Sequence, residues 1–330
     1  MINLLRYLST KQLRRSQLTL TNRGFTFIEL LVTLVISSIV LGALLIFMNN
    51  MLTSERQEQA KATSEQETQA ALDYIATDLQ EAVYIYDADG IAEIKDELPN
   101  AADRVPVLVF WKRSFFPSTR DVTNSSGTAT TVGCLVKLPP SNTDCDNRDY
   151  FVYSLVAYYL IKDNSSTWSK AARIGRWEIQ DGIKDPFNPN NYLTNPDPGF
   201  KRFDLNLPGS LKEKMNAWTK SNSTYTASTR VLIDYVDHST AGAPALVSCT
   251  NTSSAAQQVP ANGTANNSLG IYSFYACVDT SQPNITLARV YLRGNALARI
   301  QPGATYTNNR DTYFPTANVQ VKGRGLLGAE

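Results

Sequence analysis

The chain has 330 residues, of which 43% are apolar, enough for one large or two modest folded domains. Its formal net charge is +1, but residues 1–24 carry five basic residues and no acid, which leaves 26 basic and 30 acidic residues in the remainder. The five are Arg6, Lys11, Arg14, Arg15 and Arg23. Because the remainder is mildly acidic, it lacks the basic surface that nucleic acid requires, and we expect no nucleic-acid partner.

Residues 25–48 form an apolar segment whose only charged residue is Glu29. As a helix that rises about 1.5 Å per residue, the segment can cross a hydrocarbon core of roughly 30 Å. The basic leader before it favours a cytoplasmic N-terminus and a C-terminal part on the far side of the membrane. A secretory signal is disfavoured, since its apolar core is shorter and ends at a small-residue cleavage site.

A carboxylate inside a membrane span costs free energy, so the presence of Glu29 in the apolar segment needs an explanation. The surrounding residues 23–30, RGFTFIEL, resemble the processing site of type IV prepilins and of type II secretion pseudopilins. The resemblance implies that prepilin peptidase cuts after Gly24 and that the new N-terminal residue, Phe25, is methylated. It also implies that Glu29 acts in assembly with other pilin or pseudopilin subunits on an inner-membrane platform. A plain signal anchor with a chance glutamate is the alternative.

The charge on Glu29 has a physical role in such an assembly. Cleavage leaves a mostly cationic α-amino group on Phe25, at a helix end where the helix dipole disfavours a cation. Glu29 lies one turn further along, where the dipole favours an anion. When helices pack into a filament, the carboxylate of one subunit can pair with the ammonium of another, and a stagger that leaves either buried charge unpaired is rejected.

The helix is expected to continue beyond the membrane as a stem. Residues 53–69 are polar without glycine or proline, and apolar residues then return at helical spacing. This apolar stripe, which is expected to dock on the head, consists of Leu72, Ile75, Leu79, Val83 and Tyr86. Asp89 and Gly90 are expected to end the helix. The predicted organisation is a cleaved leader 1–24, a transmembrane or filament-core helix 25–48, a helical stem 49–88 and a globular head 89–330.

The head is predicted to be rich in strands, which makes the fold α+β: a long N-terminal helix packed on an antiparallel β-sheet with long loops. The expected strands are residues 105–111, 134–138, 151–161, 173–179, 230–236, 272–278, 286–292 and 297–300. The expected long loops are residues 123–133, 185–200 and 250–269. Ser210 and Glu213 have the spacing of a capping box, which predicts a short helix that ends near Trp218.

Four cysteines lie beyond the membrane segment, in a compartment expected to be oxidising. Three disulfide connectivities are open. We favour the local pairs Cys134–Cys145 and Cys249–Cys277, because each closes a loop rich in Ser, Thr and Asn. A zinc site is the competing interpretation, but there is no Cys-x-x-Cys and a single histidine, His238.

Neither a cofactor nor a catalytic centre is predicted. His238 follows Asp234 and Asp237 at the end of a predicted strand, where a solvated edge is expected, and no nucleophile-elbow or phosphate-loop motif occurs. Carboxylates cluster at 87–93 and 144–149 as in calcium loops, but without the full ligand spacing. Aromatic residues in the predicted strands favour core packing over a carbohydrate-binding face; they are Tyr158, Tyr159, Tyr272, Phe274, Tyr275 and Tyr291.

Segments of the head add a further resemblance. FVYSLVAYY at 151–159 and RIGRWE at 173–178 resemble the J-type minor pseudopilins and their type IV pilus counterparts. FYACVD at 274–279 and RVYLRGNAL at 289–297 are similar to the cyanobacterial pseudopilin of hormogonium polysaccharide secretion, C-type. This implies a filament subunit, not an enzyme, that supports polysaccharide secretion and gliding. A minor pilin for adhesion, twitching or DNA uptake, a protein-secretion pseudopilin and a membrane-anchored periplasmic enzyme are the alternatives.

Overall fold

The computed structural model describes residues 24–138, 144–263, 266–282 and 285–325, so the predicted leader lies almost wholly outside the described residues. The α-helices are α1 (Phe27–Gln80), α2 (Ala88–Ile94) and α3 (Leu211–Asn216). The strands are β1 (Ala82–Ile85), β2 (Arg104–Phe116), β3 (Asp121–Thr123), β4 (Ala129–Thr131), β5 (Tyr150–Ile161), β6 (Ala172–Gln180), β7 (Arg230–Val236), β8 (Gln257–Val259), β9 (Phe274–Gln282), β10 (Ile285–Arg293) and β11 (Thr316–Lys322). Short 3-10 helices span Lys95–Glu97, Val132–Cys134, Cys249–Asn251, Leu297–Arg299 and Asn308–Tyr313.

The chain divides into two compact units, residues 1–55 and 56–330. In the first, the described residues are helical from Phe27 onward, and their large apolar side chains are exposed, from 43% at Leu52 to 82% at Phe27. This part of α1 is long and apolar enough to cross a membrane. The expected apolar helix is therefore present, and among the described residues its large apolar side chains remain exposed.

In the second unit, a five-stranded antiparallel sheet has the strand order β1-β2-β5-β6-β7. The C-terminal part of α1 packs on one face of this sheet, where Leu72, Ile75 and Leu79 are fully buried. On the opposite face, Trp111 of β2 contacts Phe203 and other aromatic rings from the segment after β6. A four-stranded sheet of order β11-β10-β9-β8 and the small pair β3–β4 complete the head. The predicted α+β class is confirmed.

The predicted stem, residues 49–88, is wrong beyond Gln80, where α1 ends. Residues 82–85 form β1, which is buried throughout and pairs with β2. Val83 and Tyr86 continue the helical spacing of the stripe, but strand pairing overrides that pattern. Asp89 and Gly90 do not end α1 either: they lie inside α2, whose first turn is capped by the side chain of Asp87.

Six of the eight expected strands coincide with or overlap observed ones, and Arg230–Val236 matches β7 at both ends. Two are wrong. Residues 134–138 begin at the last residue of a 3-10 turn and, within the described residues, contribute an isolated bridge from Lys137 to Cys145, in a loop that a disulfide closes. Residues 297–299 form a 3-10 helix that ends before Ile300, with Asn295 accepting a hydrogen bond from the Ala298 amide.

The capping box is confirmed: Ser210 and Glu213 exchange their hydrogen bonds at the start of α3, which ends at Asn216. The expected loop 123–133 contains the hairpin ends of β3 and β4, and the expected loop 250–269 contains β8. Strand β11 is absent from the predictions, although its exposed polar residues alternate with less exposed apolar ones, a pattern typical of a half-buried strand. Its place is fixed by pairing with β10 along its whole length.

Candidate processing and assembly site

Helix α1 begins with a side-chain cap immediately before Glu29. The hydroxyl of Thr26 accepts a hydrogen bond from the Glu29 amide at 3.3 Å, and its carbonyl accepts one from the Leu30 amide at 3.1 Å. Thr26 is therefore the N-cap, and Glu29 is the third helical residue, where the dipole favours an anion. The spacing Thr-x-x-Glu is a capping-box signature that the sequence offered and the sequence analysis missed.

The two residues at the predicted cut lie outside the helix. Gly24 and Phe25 precede α1, and the Phe25 side chain is exposed. Among the described residues, a Cβ added to Gly24 would meet nothing within 4 Å. The described part of the fold therefore does not require glycine at position 24, and we expect any requirement for a small residue there to come from an external partner.

Polar groups inside the apolar part of α1 find partners within the helix. The hydroxyl of Thr33 donates to the Leu30 carbonyl at 2.9 Å, and that of Ser38 donates to the Val35 carbonyl at 2.8 Å. These bonds make the hydroxyls compatible with an apolar environment. By contrast, the carboxylate of Glu29 has no ion-pair partner among the residues that the structure describes.

The other end of α1 is held in the head by a buried cluster of charges around Asp78. Its carboxylate lies 2.8 Å from the Lys112 ammonium and 2.7 Å from Nε of Arg176, and it accepts a hydrogen bond of 2.8 Å from the Tyr158 hydroxyl. Burial would raise the pKa of Asp78, but the hydrogen bonds and charges of Arg176 and Lys112 outweigh burial and lower it. The helix is thereby fixed to β2, β5 and β6.

Two further contacts position the stem earlier in α1. Glu67 pairs with Arg299, and Ser64 and Thr68 are buried beside Gly294. A Cβ added to Gly294 would lie 2.8 Å from each of the Ser64 and Thr68 hydroxyl oxygens, closer than normal contact allows. Glycine at 294 is therefore required by the close approach of the helix to the end of β10.

The disulfides follow the favoured local pairing, Cys134 with Cys145 and Cys249 with Cys277. Because all four cysteines are oxidised, no thiolate is left for zinc. The second bridge holds the 3-10 helix Cys249–Asn251 against β9, beside the stacked rings of Tyr275 and Tyr291.

The predicted solvated edge at His238 is wrong, because the residue is half-buried and burial lowers its pKa. Neighbouring Asp237 is fully buried and forms an ion pair with Arg293 at 2.8 Å, while Asp234 accepts hydrogen bonds from Ser169. These carboxylates have structural partners and do not converge with His238 on a catalytic arrangement.

Residues singled out for calcium or carbohydrate have other roles. Asp87 caps α2 and, with Asp89, pairs with Lys212. Within the described ranges, no group of three or more metal-binding side chains lies together. Most of the strand aromatics are buried in the core, as the packing interpretation predicts; the buried ones are Tyr158, Tyr159, Phe274, Tyr275 and Tyr291.

Comparison with known proteins finds one match. Residues 20–45 match the family model of the prokaryotic N-terminal methylation motif. No curated protein and no solved structure matches the chain. The matched segment contains Gly24, Phe25 and Glu29, and its family is structural, not enzymatic. Together with the apolar N-terminal helix, this prepilin-type motif supports a membrane-anchored protein of the type IV pilin-like family.

Proposed function

We propose that this chain is a minor pseudopilin or minor pilin, a structural subunit of a filament related to type II secretion systems and type IV pili. Prepilin peptidase removes residues 1–24, and Phe25 becomes the methylated N-terminus. The observation that carries the proposal is the N-terminal part of α1: an apolar helix that the described residues leave exposed, with one carboxylate in its first turn that has no ion-pair partner among them. A membrane before assembly, and helices of other subunits within a filament, would bury it.

Glu29 is proposed to select the register of assembly. Thr26 satisfies the backbone amide of Glu29 but leaves its carboxylate available for an ion pair. Within a packed filament core, the α-amino group of Phe25 on a neighbouring subunit supplies the missing cation. An unpaired buried charge is strongly destabilising, whereas a buried ion pair adds little net stability. The pair therefore serves mainly to exclude arrangements of the subunits in which either charge is unpaired.

The proposed topology is a single pass through the inner membrane, with the N-terminus in the cytoplasm and the head in the periplasm. The basic leader supports that orientation, and two disulfides in the head suit an oxidising compartment. Extraction from the membrane by the assembly platform then delivers the subunit into a short periplasmic or surface filament.

The proposed role of that filament is polysaccharide secretion in support of gliding, as a J-type subunit of the cyanobacterial hormogonium system. The head segments 151–159 and 173–178, which carry the resemblance, pair as β5 and β6. They supply Tyr158 and Arg176 to the Asp78 cluster, so the resemblance covers the residues that dock the stem.

Deletion of the gene tests this role. We expect loss of surface polysaccharide and gliding, restored by the wild-type gene but not by Glu29→Gln, whose product should still be processed and membrane-bound. A Glu55→Gln variant, altered at an exposed carboxylate of the same helix, should restore both and serves as the control. Unchanged polysaccharide with altered adhesion or DNA uptake would reject the secretion role but leave the filament assignment standing.

A further inference from the structure

The face of the five-stranded sheet opposite α1 carries an exposed surface of aromatic and basic side chains. We name the aromatic–arginine strip as Arg113, Phe115, Phe151, Tyr153 and Arg202. In the register of β2 and β5, Arg113 lies opposite Tyr153, and Phe115 lies opposite Phe151. Side chains alternate between faces along a strand, so these four share one face, while the neighbouring Lys112 points to Asp78 on α1.

The two phenylalanines of the strip remain exposed. Phe115 is 51% exposed and Phe151 is 53% exposed, and their ring centroids are 5.1 Å apart. Single exposed apolar side chains are ordinary on a protein surface, but two facing rings on adjacent strands form a continuous patch. The covered part of the same face begins at Tyr153, whose ring packs edge-on against Phe203.

Each arginine of the strip is stacked on an aromatic ring. The guanidinium of Arg113 lies 4.4 Å from the ring centroid of Phe151, and that of Arg202 lies 4.4 Å from the ring centroid of Tyr153. Stacking holds a guanidinium flat on the ring while its N–H groups stay free at the edge.

Both guanidiniums lack a carboxylate partner. Within the described part of the chain, neither Arg113 nor Arg202 forms an ion pair. Arg202 acts electrostatically on Asp181, but that carboxyl is buried and accepts hydrogen bonds from Tyr192 and from the Gly182 amide. The strip therefore presents two fixed cations beside open aromatic rings.

We propose that the aromatic–arginine strip binds an acidic polysaccharide. An aromatic ring can cover the apolar face of a sugar, and a guanidinium fork matches a carboxylate with two parallel hydrogen bonds. Rings and cations follow one another along two strands, which suits a polymer that repeats both features. The inference rests on the proposed secretion role for the source of the polymer, which would be the exported cargo.

The test uses the full-length processed protein in detergent and affinity electrophoresis through polygalacturonate. Methyl-esterified polygalacturonate, with the same backbone and no charge, is the matched polymer. We expect retardation by the acidic polymer, weakened about tenfold by Phe115→Ala with Phe151→Ala. Arg113→Gln with Arg202→Gln should abolish the preference for the acidic form and the sensitivity to salt.

Control variants separate the strip from general surface effects. Phe187→Ala removes another exposed phenylalanine and Arg310→Gln another exposed arginine, and neither should change retardation. Thermal unfolding of every variant checks that the head is intact. Equal retardation by both polymers, or an equal loss in the controls, would overturn the proposal. So would a wild-type self-association that Phe115→Ala with Phe151→Ala abolishes, since the strip would then be a protein interface.

The binding test is independent of filament assembly. Glu29→Gln should bind polygalacturonate as the wild type does, and the strip variants should enter filaments normally. If the strip does not bind polygalacturonate, the proposed filament role is unaffected. If Glu29→Gln enters filaments normally, the result on polysaccharide binding is unaffected.

Discussion

The two ends of α1 differ in the exposure of their apolar side chains and in the partners of their carboxylates. Between Phe27 and Leu52 the large apolar side chains are exposed, and the single carboxylate, Glu29, has no ion-pair partner among the described residues. Between Ala60 and Leu79 most of the apolar side chains are buried, and the carboxylate of Asp78 has two cations and a tyrosine hydroxyl around it. The head-docked end has its partners within the chain, whereas the described residues leave the other end exposed, and we propose that a membrane or other subunits surround it.

The largest effect, on incorporation into filaments, is expected from a change at Glu29, whose carboxylate has no ion-pair partner among the described residues. Glu29→Gln should abolish incorporation into filaments while processing, membrane insertion and the thermal stability of the head stay unchanged, because no described residue depends on that charge. Glutamine keeps the backbone amide that donates to the Thr26 hydroxyl, so the change isolates charge from helix capping. The measurement is the ratio of variant in sheared filaments to variant in membranes, compared with Glu55→Gln. Equal ratios would reject the pairing of Glu29 with Phe25.

At the head-docked end of α1, a change is expected to lower the stability of the head. Asp78→Asn removes the most buried carboxylate of the cluster and leaves Glu178 as the counterion that Lys112 and Arg176 share, which should destabilise the head by about 1–3 kcal/mol. The check is chemical unfolding of the processed protein, with Asp73→Asn as the control, since Asp73 is exposed on the same helix. Asp78→Asn as stable as that control would mean that the cluster does not hold the stem.

A smaller effect is expected from acid. The hydrogen bond from Arg173 to Asp163, at 2.7 Å, lowers the pKa of Asp163 from 3.8 to about 2. Because the folded pKa lies below the unfolded one, this pair stabilises the fold above about pH 4 and loses its contribution as the pH falls toward 2. Asp163→Asn should therefore lower the melting temperature at pH 6. Between pH 5 and pH 2.5, the melting temperature of this variant should fall by less than that of the wild type. An identical pH dependence in both proteins would contradict the ion pair.

The contrast between the two ends also explains what a single sequence could predict. Features that follow from the local sequence pattern were predictable; they are the apolar segment with Glu29, the capping box at Ser210 and strand β7. The end of α1 was not, since residues 82–85 become a strand only by pairing with β2. Asp78 and Arg176 are 98 residues apart, and no local pattern links them. The cap at Thr26 was a local signal that could have been found.

The most direct measurement is the intact mass and N-terminal sequence of the chain isolated from assembled filaments of its native host. The account predicts a chain that begins at N-methylated Phe25. Gly24→Leu should instead accumulate as full-length precursor with an unaltered head, because no described residue lies within 4 Å of an added Cβ at that position. Filaments whose subunits still carry residues 1–24 would contradict the account.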